Sequence, residues 1–292
     1  MLTQIGLACD YAKKFNRLVI VQTNYHPQQE FGDTLSNYFY STSIRLLLNP
    51  DKFTYLFDSL TVYPNELLGR VNSYVPVFDP NTAVYNYADE LTGVTLTFDF
   101  AKDYAEKLLV HHACGCQPRG KSITALSHMQ LHPSLAVALS ERLSKISSVY
   151  DALHIRNTDY RSLDYIVEVN ALTEMFGESI FVATDNRSAL DYCRDVFGTA
   201  RVYSFSSLPS NPGDPLHKQT GMCISDRNSD AVLDLMMLAL SRKLHACKIL
   251  NHFDGGRPSF SGFSMLASDL QENRELLKRL VPEEVRYVIP VP

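Results

Sequence analysis

The stretch DALHIRNTDYRS, residues 151–162, ends an apolar run directly in Arg156, Asn157, Thr158 and Asp159, with His154 inside the run. A guanidinium just past a buried strand can grip phosphate oxygens through two parallel hydrogen bonds. Asp159 can hold that Arg in its rotamer, and His154 is either a pocket residue or a satisfied core histidine. A structural Arg–Asp pair explains the same letters equally well. Two further stretches carry chemistry. Asp234 interrupts the greasy run AVLDLMMLALS, and a buried carboxylate is rare without a partner. That partner is either an Arg or Lys, or the adjacent N1 and N2 donors of a guanine, a pair that adenine lacks. GGRPSFSGFS, residues 255–264, places Ser259, Phe260 and Ser261 at the start of a helix. Free N–H groups and hydroxyls there suit a phosphate, and an ordinary Ser N-cap accounts for them too.

The surrounding pattern says what positions these residues. YDALHI (150–155) and SIFVATD (179–185) read as buried strands, ARVYSF (200–205) as a third and LHACKILN (244–251) as a fourth. Helices are expected over 161–177, from Asn186 to near Gly198, over 229–243 and from about 261. Alternating strands and helices mean a parallel sheet covered on both faces, and ligands of such sheets bind at the carboxyl ends of the strands. That edge is where Arg156, Asp159 and Asp185 fall. Residues 206–221, rich in Pro, Gly and Ser, read as a loop. The first half is less regular. CDYAKKFN reads as a helix, RLVIVQ as a strand and 132–148 as a helix, with a domain boundary expected between residues 147 and 148. The chain opens in a helix where a strand and turn would ordinarily come first.

Bulk properties exclude several classes. The 292 residues are 45% hydrophobic and 20% charged with a net charge of −5, so no basic excess favours nucleic acid or an anionic membrane. No run of about 18 apolar residues predicts a span. Six Cys in a chain of this length imply reduced thiols, and the cytoplasm is the expected location.

Taken together, HIRNTDY, FVATDN, SDAVLDLMMLAL and PSFSGFSMLA resemble, in order and spacing, successive motifs of the GDP-fucose-dependent fucosyltransferases: the α1,2-, α1,6- and protein O-fucosyltransferases, with the rhizobial chitin-oligosaccharide enzymes among them. LACDYAKKFNRLVIV resembles the family's first helix and second strand. The resemblance implies a GT-B fold, two Rossmann-like domains with mostly parallel sheets facing a cleft, here residues 1–147 on the acceptor side and 148–292 holding the nucleotide-sugar. It implies inverting transfer from GDP-fucose to a glycan hydroxyl, with no metal and no cofactor beyond the donor. Arg156 would bind the β-phosphate, with His154 and Asp159 in the same pocket, Asp185 near the nucleotide, Asp234 on guanine, and Ser259, Phe260 and Ser261 along the diphosphate. Asp164 matches an acidic residue of the α1,6-type enzymes and is the candidate base. Two departures stand out. Asn157 replaces a second basic residue, and the family's opening strand and Gly-rich loop are missing, which leaves a truncated, non-catalytic homologue as another reading.

Two other motifs compete. GCQPRGKS (115–122) matches the phosphate-loop pattern GxxxxGK[ST] and would make the chain a nucleotide-binding enzyme of a different class. Pro133 would cut its helix short. HHACGC (111–116) clusters two His and two Cys but lacks the second ligand pair of a zinc site. Tyr25, His26, Tyr38 and Tyr40 are aromatic residues available to an acceptor site, with no spacing that singles them out.

Overall fold

The computed structural model describes residues 1–24, 31–51, 53–79, 84–113, 118, 120–158, 162–208, 221–251 and 257–283. Asp159, Tyr25, His26, Cys114 and Cys116, and most of the 206–221 loop, lie outside them. The chain divides into two compact units, Met1–Gln130 and Leu131–Pro292.

The first unit is built from short pieces: α1 (Leu2–Phe15), β1 (Val19–Ile20), β2 (Phe39–Ser41), β3 (Leu46–Leu47), α2 (Thr54–Phe57), β4 (Val62–Tyr63), β5 (Tyr74–Asp79), β6 (Val84–Asp89), β7 (Leu108–Leu109) and α3 (Lys121–Leu126). β1 runs parallel to β3 and β4 to β7, while β5 and β6 form an antiparallel hairpin. Helix α1 lies so close on α3 that a Cβ on Gly6 would stand 1.9 Å from the carbonyl oxygen of Lys121. Only glycine permits that approach. β8 (Met129–Leu131) crosses the division between the units.

The second unit holds α4 (Pro133–Ser144), β9 (Asp151–Ile155), α5 (Tyr165–Ala171), β10 (Ile180–Thr184), α6 (Arg187–Phe197), β11 (Val202–Tyr203), α7 (Ile224–Leu240), β12 (Lys243–Ala246), β13 (Ile249–Asn251), β14 (Arg257–Ser259), α8 (Gly262–Glu272) and α9 (Arg274–Leu280). Its sheet has the order β11-β10-β9-β12, with every pairing parallel. All five residues of β9 and of β10 are buried, as their continuous apolar letters require when helices cover both faces. α5 and α6 cover one face through Val169, Leu172, Ala189, Leu190 and Cys193. α7 packs on β9 and β10 of the other, with α4 and α8 against it.

Several boundaries differ from expectation. α4 buries its apolar face on α7, so it belongs to the second unit, and the division falls at 130/131 rather than 147/148. α5 begins only after Asp164, whose carboxylate accepts the Val167 N–H at 3.2 Å and caps the helix. α7 stops at Leu240, because Ser241 turns its hydroxyl onto the Leu238 carbonyl and Arg242 is held by Asp151 in two bonds of 2.9 and 2.7 Å. The expected strand 244–251 is broken into β12, beside β9, and β13, which turns away to pair antiparallel with β14. Among the described residues no helix is long and apolar enough to cross a membrane. Cys9, Cys193, Cys223 and Cys247 are free thiols.

Candidate active site

The carboxyl end of β9 is where the chemistry-bearing residues gather. The chain leaves Ile155 into Arg156, Asn157 and Thr158, and the neighbouring strand β10 ends at Thr184, leading into Asp185 and Asn186. Asp185 is buried and binds the turn after β9. It accepts the Asn157 N–H at 2.8 Å and the Thr158 hydroxyl at 2.6 Å, and its Oδ2 lies 3.9 Å from Arg156 Nε. That last distance is an ion pair and too long for a hydrogen bond. Asn186 completes the clasp: its side-chain amide donates to the Asn157 carbonyl at 3.1 Å, and its oxygen caps α6 by accepting the Ala189 N–H at 2.9 Å. Asp185 thus faces Arg156 at the strand end, and Arg156 keeps 28% of its side chain exposed; Asp159, the partner expected from the sequence, lies outside the described residues.

One residue back along β9, His154 faces the other helix layer. Its Nδ1 lies 2.6 Å from the Ser264 hydroxyl, which lies 2.8 Å from the Ser261 hydroxyl. Ser261 is the N-cap of α8 and accepts the Ser264 N–H at 3.0 Å. Burial, reinforced by the charge of Arg156, pushes His154 down to about 3, so the imidazole is neutral at physiological pH. A neutral ring adds no charge beside the guanidinium. Hydrogen bonds therefore link His154 of the strand end to the amino terminus of α8, and the charge of Arg156, two residues further along the chain, acts on the same imidazole; the free N–H groups and dipole of a helix amino terminus favour an anion. Phe260, just before that cap, is 44% exposed, and Ser259 ends β14 opposite Ile249.

Asp234 sits in a second network on the same face of the sheet. Its Oδ1 accepts from Arg142 of α4 at 2.8 Å and from the Ser206 hydroxyl at 2.7 Å. Arg142 also pairs with Asp230, which accepts the Ser207 N–H at 3.0 Å, and lies over the Phe205 ring at 5.7 Å. The Arg partner considered from sequence is therefore present. The Oδ2 of Asp234 makes no hydrogen bond among the described residues, and 13% of the side chain is exposed. Burial raises this carboxyl to about 6, Arg142 and Ser206 pulling in the opposite sense.

Asp164 is an exposed helix cap. Sequence reasoning did not single out Arg142, Ser206, Thr158 or Ser264, and it read Asn186 only as a helix start. Ser264, three residues after the N-cap Ser261, carried the only local signal, the position whose N–H a cap receives. Of the two competing motifs, residues 114–117 and 119 lie outside the described residues. Lys121 opens a six-residue helix and is ion-paired to Asp10 of α1. His111 bonds Thr97 and Gln4, and burial pushes it down to about 4; His112 stacks on Tyr87 at 3.6 Å. Tyr38 is buried with its hydroxyl on Asp33 at 2.5 Å, and Tyr40 bonds Gln130.

This architecture is a mixed α/β fold of the GDP-fucose fucosyltransferase type. The chain is similar to the α1,6-fucosyltransferase NodZ soaked with GDP-fucose, with a TM-score of 0.56 and 14% identity over 96% of this chain and 88% of that one. It is similar also to NodZ co-crystallised with GDP, with a TM-score of 0.58 and 14% identity over 92% and 87%, and to fucosyltransferase NodZ from Bradyrhizobium, with a TM-score of 0.55 and 13% identity over 91% and 87%. No family model and no curated protein matches the sequence.

Proposed function

We propose that the chain is a glycosyltransferase that moves fucose from GDP-fucose to a glycan hydroxyl, with inversion and without a metal ion. The observation that carries this reading is the gathering at one strand end of Arg156, whose charge acts on His154, and the amino terminus of α8, to which His154 is linked through Ser264 and Ser261. Those are two sources of positive potential at the carboxyl edge of a parallel sheet, on a fold shared with proteins that bind GDP and GDP-fucose.

In the transfer, the bond from the sugar's anomeric carbon to the β-phosphate breaks. A new bond forms to the acceptor oxygen from the opposite face, and the acceptor's proton passes to a base. Negative charge grows on the β-phosphate as the sugar becomes oxocarbenium-like, so leaving-group stabilisation dominates. Arg156 takes that role, with the α8 N–H groups and Ser259, Phe260 and Ser261 along the diphosphate. His154 and Asp159 shape the same pocket, and Asp185 orients Arg156. Asp234 accepts from guanine through Oδ2, its other oxygen being held by Arg142 and Ser206. A preorganised donor of the Arg156 kind is worth about 100-fold or more in rate. The second unit holds the donor and the first contributes the acceptor side, the division of labour of a GT-B enzyme.

Asp164 is the base of this scheme. Asn is as good an N-cap as Asp, so Asp164→Asn leaves α5 capped and removes only the proton acceptor. The test is transfer of labelled fucose to chitin oligosaccharides and other glycans, with and without EDTA. The reading requires turnover insensitive to EDTA, reduced about 100-fold in Asp164→Asn. Full activity in that variant relocates the base, and no turnover with any acceptor favours the non-catalytic homologue.

A further inference from the structure

On the opposite face of the sheet from His154 lies a cluster that the transfer reaction does not use. His245 pairs with Leu153 in the β12–β9 ladder, and Cys247, two residues on, continues it by donating its N–H to the His154 carbonyl at 2.9 Å. Alternate residues of a strand share a face, so both side chains point toward the α5 layer. There they meet Glu168, whose Oε2 lies 2.7 Å from His245 Nε2 and whose Oε1 accepts the Lys248 N–H at 3.2 Å. One nitrogen, one sulfur and one carboxylate oxygen thus stand within 4.8 Å of one another.

We infer that Glu168, His245 and Cys247 form a binding site for a zinc ion. Three protein ligands of the N, S, O type suit this borderline-soft cation and leave the fourth tetrahedral position to water. Thiolate and imidazole disfavour calcium and magnesium, which take oxygen ligands. The ligands are held in advance. Both backbone positions on the strand side are fixed by ladder bonds to β9, and Glu168 projects from a helix anchored by Val169 in the core. Cys247 is buried at the back, while His245 and Glu168 keep 35% and 24% of their side chains exposed, which gives the ion a way in from solvent. Zinc takes the place of the N–H between His245 and Glu168, the neutral imidazole carrying its proton on Nδ1 instead, and displaces the thiol proton of Cys247, which goes to solvent. The bound ion clamps α5 to the end of β12, so its effect falls on stability and leaves the transfer chemistry metal-free.

The test titrates zinc, and cobalt(II) as its spectroscopic substitute, into the full chain stripped with chelator. One equivalent is expected per chain, together with a near-ultraviolet thiolate-to-cobalt charge-transfer band and an upward shift of Tm. The band disappears in Cys247→Ser. His245→Gln and Glu168→Gln, at part-exposed positions that keep the core intact, weaken binding by more than about 100-fold, beyond what loss of an outer-sphere partner does. These two variants decide the matter if Cys247→Ser does not fold. No uptake of either ion overturns the inference. So does uptake unchanged in His245→Gln and Glu168→Gln, which would place the ion elsewhere, for instance at HHACGC.

Discussion

Asp185→Asn keeps the shape of the side chain and deletes its charge. In the wild type the carboxylate accepts two short bonds, from the Asn157 N–H at 2.8 Å and the Thr158 hydroxyl at 2.6 Å, and faces Arg156. The amide oxygen can keep the Asn157 bond, and the Thr158 hydroxyl can reverse to accept from the new NH2 group. What cannot be recovered is the charge assistance. A bond to a charged group contributes about 1.5–3 kcal/mol against about 1 for a neutral one, so two such bonds lose about 1–4 kcal/mol together. Unfolding in urea should show a stability loss of about 2 kcal/mol. Because Asp185 acts through Arg156, GDP affinity measured by calorimetry should fall by about tenfold, or about 1.4 kcal/mol. The decisive measurement is the double-mutant cycle with Arg156→Ala. In the Arg156→Ala background the Asp185→Asn change should cost almost nothing in GDP affinity. An equal loss in both backgrounds, or no loss in either, refutes the positioning role.

Two further outcomes follow from the packing and the charges. Gly6→Ala gains about 1 kcal/mol of helix propensity, but its methyl would stand 1.9 Å from a backbone carbonyl that cannot rotate away. Overpacking costs typically about 1–3 kcal/mol and more where the atom met is backbone, so it outweighs that gain and Tm should fall; an unchanged or higher Tm would show that α1 and α3 are not so closely packed. Asp234 is raised to about 6 from an ordinary 3.8, so the folded state takes up its proton first. Its contribution is fully present below about pH 4 and lost as pH rises through about 6, a span of roughly 3 kcal/mol at about 1.4 per unit. Relative to Asp234→Asn, the wild type should therefore gain that much stability between pH 7 and 4, the opposing loss from neutral His154 cancelling in the difference. Parallel stability curves would contradict the burial of this carboxyl.

The parts of the site that were legible in the sequence are those whose cause is local. The run ALHI becomes the buried strand β9 because every residue in it is covered, and Arg156 follows at the sheet edge by chain connectivity alone. Asn186 and Ser261 cap their helices through side-chain bonds reaching three residues along. Gly198 ends α6 at φ +90, where a side chain would be strained. The parts that were not legible depend on distant pairs. Arg142 meets Asp234 across 92 residues and Ser264 meets His154 across 110, and no spacing rule links them. The early end of α7 is the same kind of event, because Asp151 recruits Arg242, 91 residues away, out of the expected helix. The unit boundary moved for the same reason: α4 reads as the last helix of the first half until its apolar face is seen on α7.

The central claim is that Arg156 and the amino terminus of α8 hold the diphosphate of a guanine nucleotide. It is tested most directly by calorimetric titration of GDP, GDP-fucose, ADP and ATP, with and without Mg²⁺, into the wild type and Arg156→Ala. The account predicts binding of GDP and GDP-fucose that needs no metal, discriminates against ADP and is lost in the variant. Mg²⁺-dependent ATP binding that survives the mutation would contradict it and move attention to Lys121, and wild-type protein that binds none of the four nucleotides would contradict it outright.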